Sequence, residues 1–130
     1  MDDLTSNTQQ TDEDVQHHAL TQKVKDFSSL LHSIESLDDK KRQLWREIYE
    51  NAITDRSVAY AMFAKLVKIT QDKSGEHAVH GKTMATYIER MSKSNEQLIR
   101  LAELIAKAEE KDGDIDETDI YTRIAKGGGN

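Results

Sequence analysis

The stretch "MATYIERMSKSNEQLIRLAELIAKA", Met84 to Ala108, decides the fold. Met84, Ile88, Met91, Asn95, Leu98, Ala102 and Ile105 step alternately by four and three, a heptad seam sustained over three repeats. Tyr87, Leu101, Leu104 and Ala108 widen the seam on one side, and Ile99 adds an apolar spot on another flank. Such a face is too broad for a simple two-stranded coil. It suits a helix that packs on its own partner helix and also on a neighbouring subunit. Met84, Ile88, Met91, Asn95, Leu98 and Ile105 are therefore the expected oligomer interface. Asn95 fixes register if it lies within the seam, or is half solvated if it lies at the edge, and the spacing allows either.

Upstream, Leu44, Trp45, Ile48, Tyr49, Ala52 and Ile53, then Val58, Met62, Phe63, Leu66, Val67 and Thr70, carry the same helical period. Thr54 and Asp55 interrupt it. One long helix ending near Asp72 is expected, bent at most at Thr54, and about 50 Å long at ~1.5 Å per residue. Lys73-Ser74-Gly75 supplies the turn between the two long helices. Val24, Phe27, Leu30, Leu31 and Ile34 give one apolar face of a shorter helix, and Ser36 or Asp38 can cap the helix that follows. The expected fold is all-α, a long antiparallel helical hairpin with a short N-terminal helix. Its parts are a disordered acidic tail over 1–20, a short helix over 21–36, the hairpin core over 37–111 and an acidic tail over 112–130. The second long helix should stop at "KDG", with Gly113 just past its end. Beyond it, Asp116 can cap a short docking helix whose apolar face is Ile120, Tyr121 and Ile124.

Composition supports this reading. The 130 residues include no proline, no cysteine and seven aromatics, with 32% charged and 36% apolar. So modest an apolar fraction points to helices that bury surface against other copies. Without cysteine there is no disulfide framework, thiolate metal site or thiol nucleophile. The first residues have neither a basic start nor an apolar run, so no signal peptide is expected. No apolar run approaches the ~18–20 residues needed to span a membrane. The net charge of −6 divides into −5 over residues 1–20, +2 over 21–71, zero over 72–111 and −3 over 112–130. A mildly basic centre lies between acidic ends.

Several motifs fail on their spacing. "GEHAVHGKT", Gly75 to Thr83, resembles a phosphate loop, but five residues separate its glycines where the loop needs four. Asp112, Asp114 and Asp116 begin a calcium-loop spacing, but the sixth and twelfth positions are Glu117 and Arg123 instead of Gly and Glu. His77 and His80 can share a helical face yet lack further zinc ligands, and His17-His18 is weaker still. No catalytic constellation stands out, so neither an enzyme nor a cofactor is expected.

For nucleic acid the candidate residues are Lys23, Lys25, Lys40, Lys41, Arg42 and Arg46, with Arg56 extending that side. An acidic monomer is a weak binder of a phosphate backbone, but a ring repeats each basic cluster many times.

"LWREIYENAITDRSVAYAMFAKL" and "GKTMATYIERMSKSNEQLIRLAELIAKAEE", above all "YIERMSKSNEQLIRLAELI" within the second, resemble the small terminase subunits of tailed, contractile-tail bacteriophages and their cyanophage relatives. The resemblance covers about residues 41–111. It implies a helical-hairpin core assembling into an oligomeric ring that binds double-stranded viral DNA and regulates the ATPase and nuclease of a large terminase subunit. The ring has no hydrolytic centre of its own and works in the cytoplasm of the infected bacterial host. On that reading the docking element Ile120, Tyr121 and Ile124 meets the large subunit. Many such proteins carry an N-terminal helix-turn-helix, whereas residues 21–45 hold only one helix and part of another. The alternative is a small helical coiled-coil regulator or chaperone that binds protein and not DNA. A third reading, a nucleotide-binding enzyme, requires ATP binding that is lost in K82A.

Overall fold

A computed structural model of the chain describes the backbone of residues 2–71 and 74–127, and the side chains of 13–71, 79–113 and Ala125. Three helices form: α1 (Asp2–His32), α2 (Asp39–Thr70) and α3 (Ser74–Gly127). The described residues include no strand, as the missing prolines and sparse β-branched clusters lead one to expect.

α2 is a single helix through Thr54. Its N-cap is Asp38, whose carboxylate accepts from the Lys41 amide at 2.8 Å, and Asp39 adds an acid to the first turn. Both favour the positive helix start. At its other end the buried Thr70 hydroxyl donates to the Leu66 and Val67 carbonyls at 3.0 and 3.1 Å.

Two boundaries correct the sequence reading. Helix α1 begins at Asp2 and not at residue 21, and α3 runs through Gly113 to Gly127 where a stop and a separate short helix were expected. The physical reason is the same at both ends. Adding a residue to an existing helix forms a hydrogen bond while fixing only two dihedrals, whereas starting a new helix is costly. Glu13 to Ala19 are all exposed, so that part of α1 continues from the packed segment behind it. Gly113 keeps a negative φ, and a methyl group there would meet nothing within 4 Å. The side chains of Ile120, Tyr121 and Ile124, and residues 72–73 of the expected turn, lie outside the described residues.

The seam is rotated from the one expected. On α3 the residues facing inward are Met84, Tyr87, Met91, Ser94, Leu98, Leu101, Ile105 and Ala108. Met84, Met91, Leu98 and Ile105 keep their expected places, but Tyr87, Ser94 and Leu101 fill the alternate positions assigned to Ile88, Asn95 and Ala102. Small size favours Ser94 at a close helix approach. Its hydroxyl donates to the Arg90 carbonyl at 3.0 Å, so burial leaves no unpaired donor. On α2 the matching face runs Trp45, Tyr49, Ala52, Arg56, Ala59, Phe63, Leu66 and Thr70, again stepping by four and three. Ala52 and Ala59 are buried on it and let the two backbones come near.

α1 packs across one side of this pair. Phe27, Leu31, Ile34 and Leu37 form a cluster with Leu101 and Ile105, edged by Trp45, Ile48, Tyr49 and Ala108. Phe27 stacks on Tyr49 with ring centroids 4.1 Å apart and planes 6° from parallel. Leu31 and Ile34 are each only 1% exposed, and burying such a side chain stabilises by about 1.5–3 kcal/mol. Leu30, expected on the same face, is exposed.

Candidate functional site

The α1–α2 junction carries the densest polar geometry. After His32 the chain turns through Ser33–Asp38 without a glycine, and the carbonyls at the end of α1 need donors. Arg42 supplies them. Its Nε donates to the Leu31 carbonyl at 3.1 Å and its Nη2 to the Ile34 carbonyl at 2.7 Å, while Nη1 pairs with Asp39 at 3.0 Å. From the opposite side Asp112 of α3 accepts the turn's amides, Glu35 N–H at 2.8 Å and Ser36 N–H at 2.7 Å. The Ser36 hydroxyl, then the Ser36 and Glu35 amides and the Arg42 charge, hold the Asp112 carboxyl below the usual aspartate range against a desolvation that pushes it up. One guanidinium and one carboxylate thus fix the corner of the molecule. Neither role is legible in the sequence, where Arg42 is a DNA candidate and Asp112 opens an acidic linker.

The six candidate DNA residues do not converge on one rim. Arg42 and Arg46 line a cleft of about 270 Å³ with His32 and Asp39. Lys41 lies in a different cleft, beside Trp45, Lys107 and Lys111 of the seam's other side. Lys23 lines a third, where all three helices meet, together with Arg56. Lys25 and Lys40 are exposed. Lys107 and Lys111 escape a sequence reading because a run of acids surrounds them. Only the α2–α3 register brings them to Lys41 and Trp45.

Of the six expected interface residues, Met84, Met91, Leu98 and Ile105 are drawn into the chain's own seam and Ile88 is exposed. Asn95 is exposed at the seam edge, where its Oδ1 accepts from Arg56 Nη1 at 3.0 Å. Two other apolar faces are left open. On α2, Leu44, Val58, Met62 and Ile69 are 41–55% exposed. At about 100° per residue they lie on the side turned away from Ile53 and Tyr60, the residues that α1 approaches. Leu104 of α3 is exposed on that same side. On the α1 side there is an apolar groove of about 370 Å³ lined by Phe27, Leu30, Leu98, Ala102 and Ala106, and Ile88 and Ile99 are exposed elsewhere on α3.

The residues of the failed phosphate loop are helical from Ser74 onward, with Gly81-Lys82-Thr83 inside α3. Among the described residues no group of three metal-ligating side chains occurs, and no helix is long and apolar enough to cross a membrane.

No protein-family model matches the chain, and no match is found among curated proteins or solved structures.

Proposed function

We propose that the chain is a non-catalytic small terminase subunit, an oligomeric adaptor that binds viral DNA and regulates a large ATPase/nuclease subunit during genome packaging. The observation that carries this reading is the pair of open apolar faces on opposite sides of the α2–α3 layer. Different faces on opposite sides make head-to-tail contacts, and such contacts close into rings when the rotation allows. In this reading α2 and α3 form an antiparallel hairpin, supported by the meetings of Ser36 with Asp112 and of Arg56 with Asn95. Val58, Met62 and Ile69 of one subunit pack on the groove at Leu30, Ala102 and Ala106 of the next. The resemblance over residues 41–111 spans α2 and most of α3, so the familiar part of the sequence is the part that would build the ring.

DNA binding in this reading comes from Lys40, Lys41, Lys107 and Lys111 repeated around the assembly, with Arg42 excluded because its donors are engaged within the chain. Electrophoretic mobility of duplex DNA with the assembled protein tests it. Binding should weaken steeply with salt and fall in a K40A/K41A/K107A variant that keeps the wild-type mass.

The second reading, a helical regulator that binds protein, is favoured by the dispersal of the cations over three clefts and by the net charge of −6. Absence of duplex binding by the assembled protein, or binding that ignores both salt and those three lysines, would favour it.

A further inference from the structure

The open cleft where all three helices meet is lined by Lys23 of α1, Arg56, Ser57 and Tyr60 of α2, and Asn95 of α3, and has a volume of about 320 Å³. Arg56 lies in the seam between α2 and α3, half-buried. Among the described residues its guanidinium has a single hydrogen-bond partner, the side-chain Oδ1 of Asn95 at 3.0 Å, and no carboxylate within 4.0 Å. Lys23 likewise has no described acid partner. Asp26, three residues along α1, accepts from Gln22 at 2.9 Å instead. Two cations with no acid partner among the described residues line one concavity, in a chain that carries more acids than bases.

Their neighbours are specific too. Because Asn95 Oδ1 faces Arg56, its amide nitrogen is left to donate elsewhere. The Ser57 hydroxyl is a further donor, and no described hydrogen bond occupies it. Tyr60, 64% exposed, offers an aromatic face at the rim. A guanidinium fork matches phosphate oxygens in pairs, an ammonium adds a point charge, and an aromatic ring stacks on a base whatever its identity. The volume lies at the small end of ligand pockets, about 300–1,000 Å³, enough for a phosphate and sugar with the base outside on Tyr60. We infer that this three-helix cleft binds a nucleoside phosphate, with Arg56 and Lys23 holding the phosphate, Ser57 and Asn95 donating to its oxygens or to the sugar, and Tyr60 stacking on the base. The site is separate from the Gly75–Thr83 stretch and stands independently of the packaging reading. Its ligand is either a free nucleotide or the phosphorylated end of a strand, since both present the same group.

Calorimetric titration of the full-length assembly at low salt tests this with AMP, adenosine, inorganic phosphate and a 5′-phosphorylated dinucleotide. AMP should bind saturably, one per chain, and at least tenfold tighter than adenosine or phosphate alone. K23A changes an exposed residue and should weaken AMP about tenfold, as should R56K, which keeps the charge but loses the fork. Y60A should weaken AMP and leave phosphate unchanged, and K82A should change nothing. A dinucleotide that outbinds AMP identifies a strand end as the ligand, and equal affinities identify the free nucleotide. Failure of AMP and the dinucleotide to saturate, or binding indifferent to K23A and R56K, overturns the assignment. A multimeric mass with no nucleotide binding would remove this site and leave the assembly reading standing.

Discussion

Replacing Arg42 by alanine isolates the contact that holds α1 to α2. The side chain donates to two carbonyls, Leu31 and Ile34, at 3.1 and 2.7 Å, and both bonds are partly buried. A hydrogen bond from a charged group contributes about 1.5–3 kcal/mol net. Water can reach part of this corner once the side chain is gone, so each bond contributes no more than the lower bound, and the loss should total about 2–3 kcal/mol. The third bond, to Asp39, adds little because the Asp39 side chain is 94% exposed and such pairs contribute at most about 1 kcal/mol. R42A should therefore lower the unfolding free energy by about 2–3 kcal/mol in urea titrations followed by circular dichroism, while D39N, which loses the exposed pair and an acid in the first turn, costs at most about 1 kcal/mol. R42K should fall between wild type and R42A, because one ammonium cannot reach both carbonyls in the same geometry. If R42A and D39N cost the same, the account of this corner is wrong. The result also decides how any loss of DNA binding in R42A is to be read, as damage to the fold and not removal of a phosphate contact.

Four further outcomes follow from the same geometry. The depressed Asp112 carboxyl means that the unfolded chain takes up its proton first as pH falls. Its stabilisation is present above the ordinary aspartate range and lost as pH drops through the lowered value. Urea midpoints measured down the acid limb should fall less steeply in D112N than in wild type, and parallel curves would contradict this. G113A should raise stability by about 0.5–1 kcal/mol, since Gly113 is helical and a methyl there meets nothing within 4 Å; a decrease would mean that α3 ends there. L101A, inside the seam at 3% exposure, should cost about 2–5 kcal/mol, whereas V58D/M62D should leave helix content intact and reduce the particle mass.

The long periodic segments were the legible part of the fold. Heptad spacing over Met84–Ala108 and Leu44–Thr70 is dense enough to set helix type, and Asp38 announces a cap by its chemistry. The exact seam was less legible. Ile88 and Tyr87 both fit the period, and hydrophobicity alone favours Ile88, whereas close helix approach selects Ser94 over Asn95 by size. Helix ends are not legible locally, because Gly113 and the polar N-terminal stretch are breakers in isolation but tolerable as extensions of a formed helix. The candidate site was legible only as a list of cations. Lys41 meets Lys107 and Lys111, and Lys23 meets Arg56, through tertiary register that no local spacing encodes, and Arg42 is diverted to carbonyls created by a turn elsewhere in the chain.

In the proposed assembly the open faces of α2 and α3 join copies of this chain head to tail. Light scattering coupled to size exclusion, on dilute protein at moderate salt, tests it most directly. One discrete mass of many subunits is expected, reduced to the 14.8 kDa chain by V58D/M62D. A wild-type protein that elutes as a monomer or a dimer would contradict it, and the regulator that binds protein would become the working model.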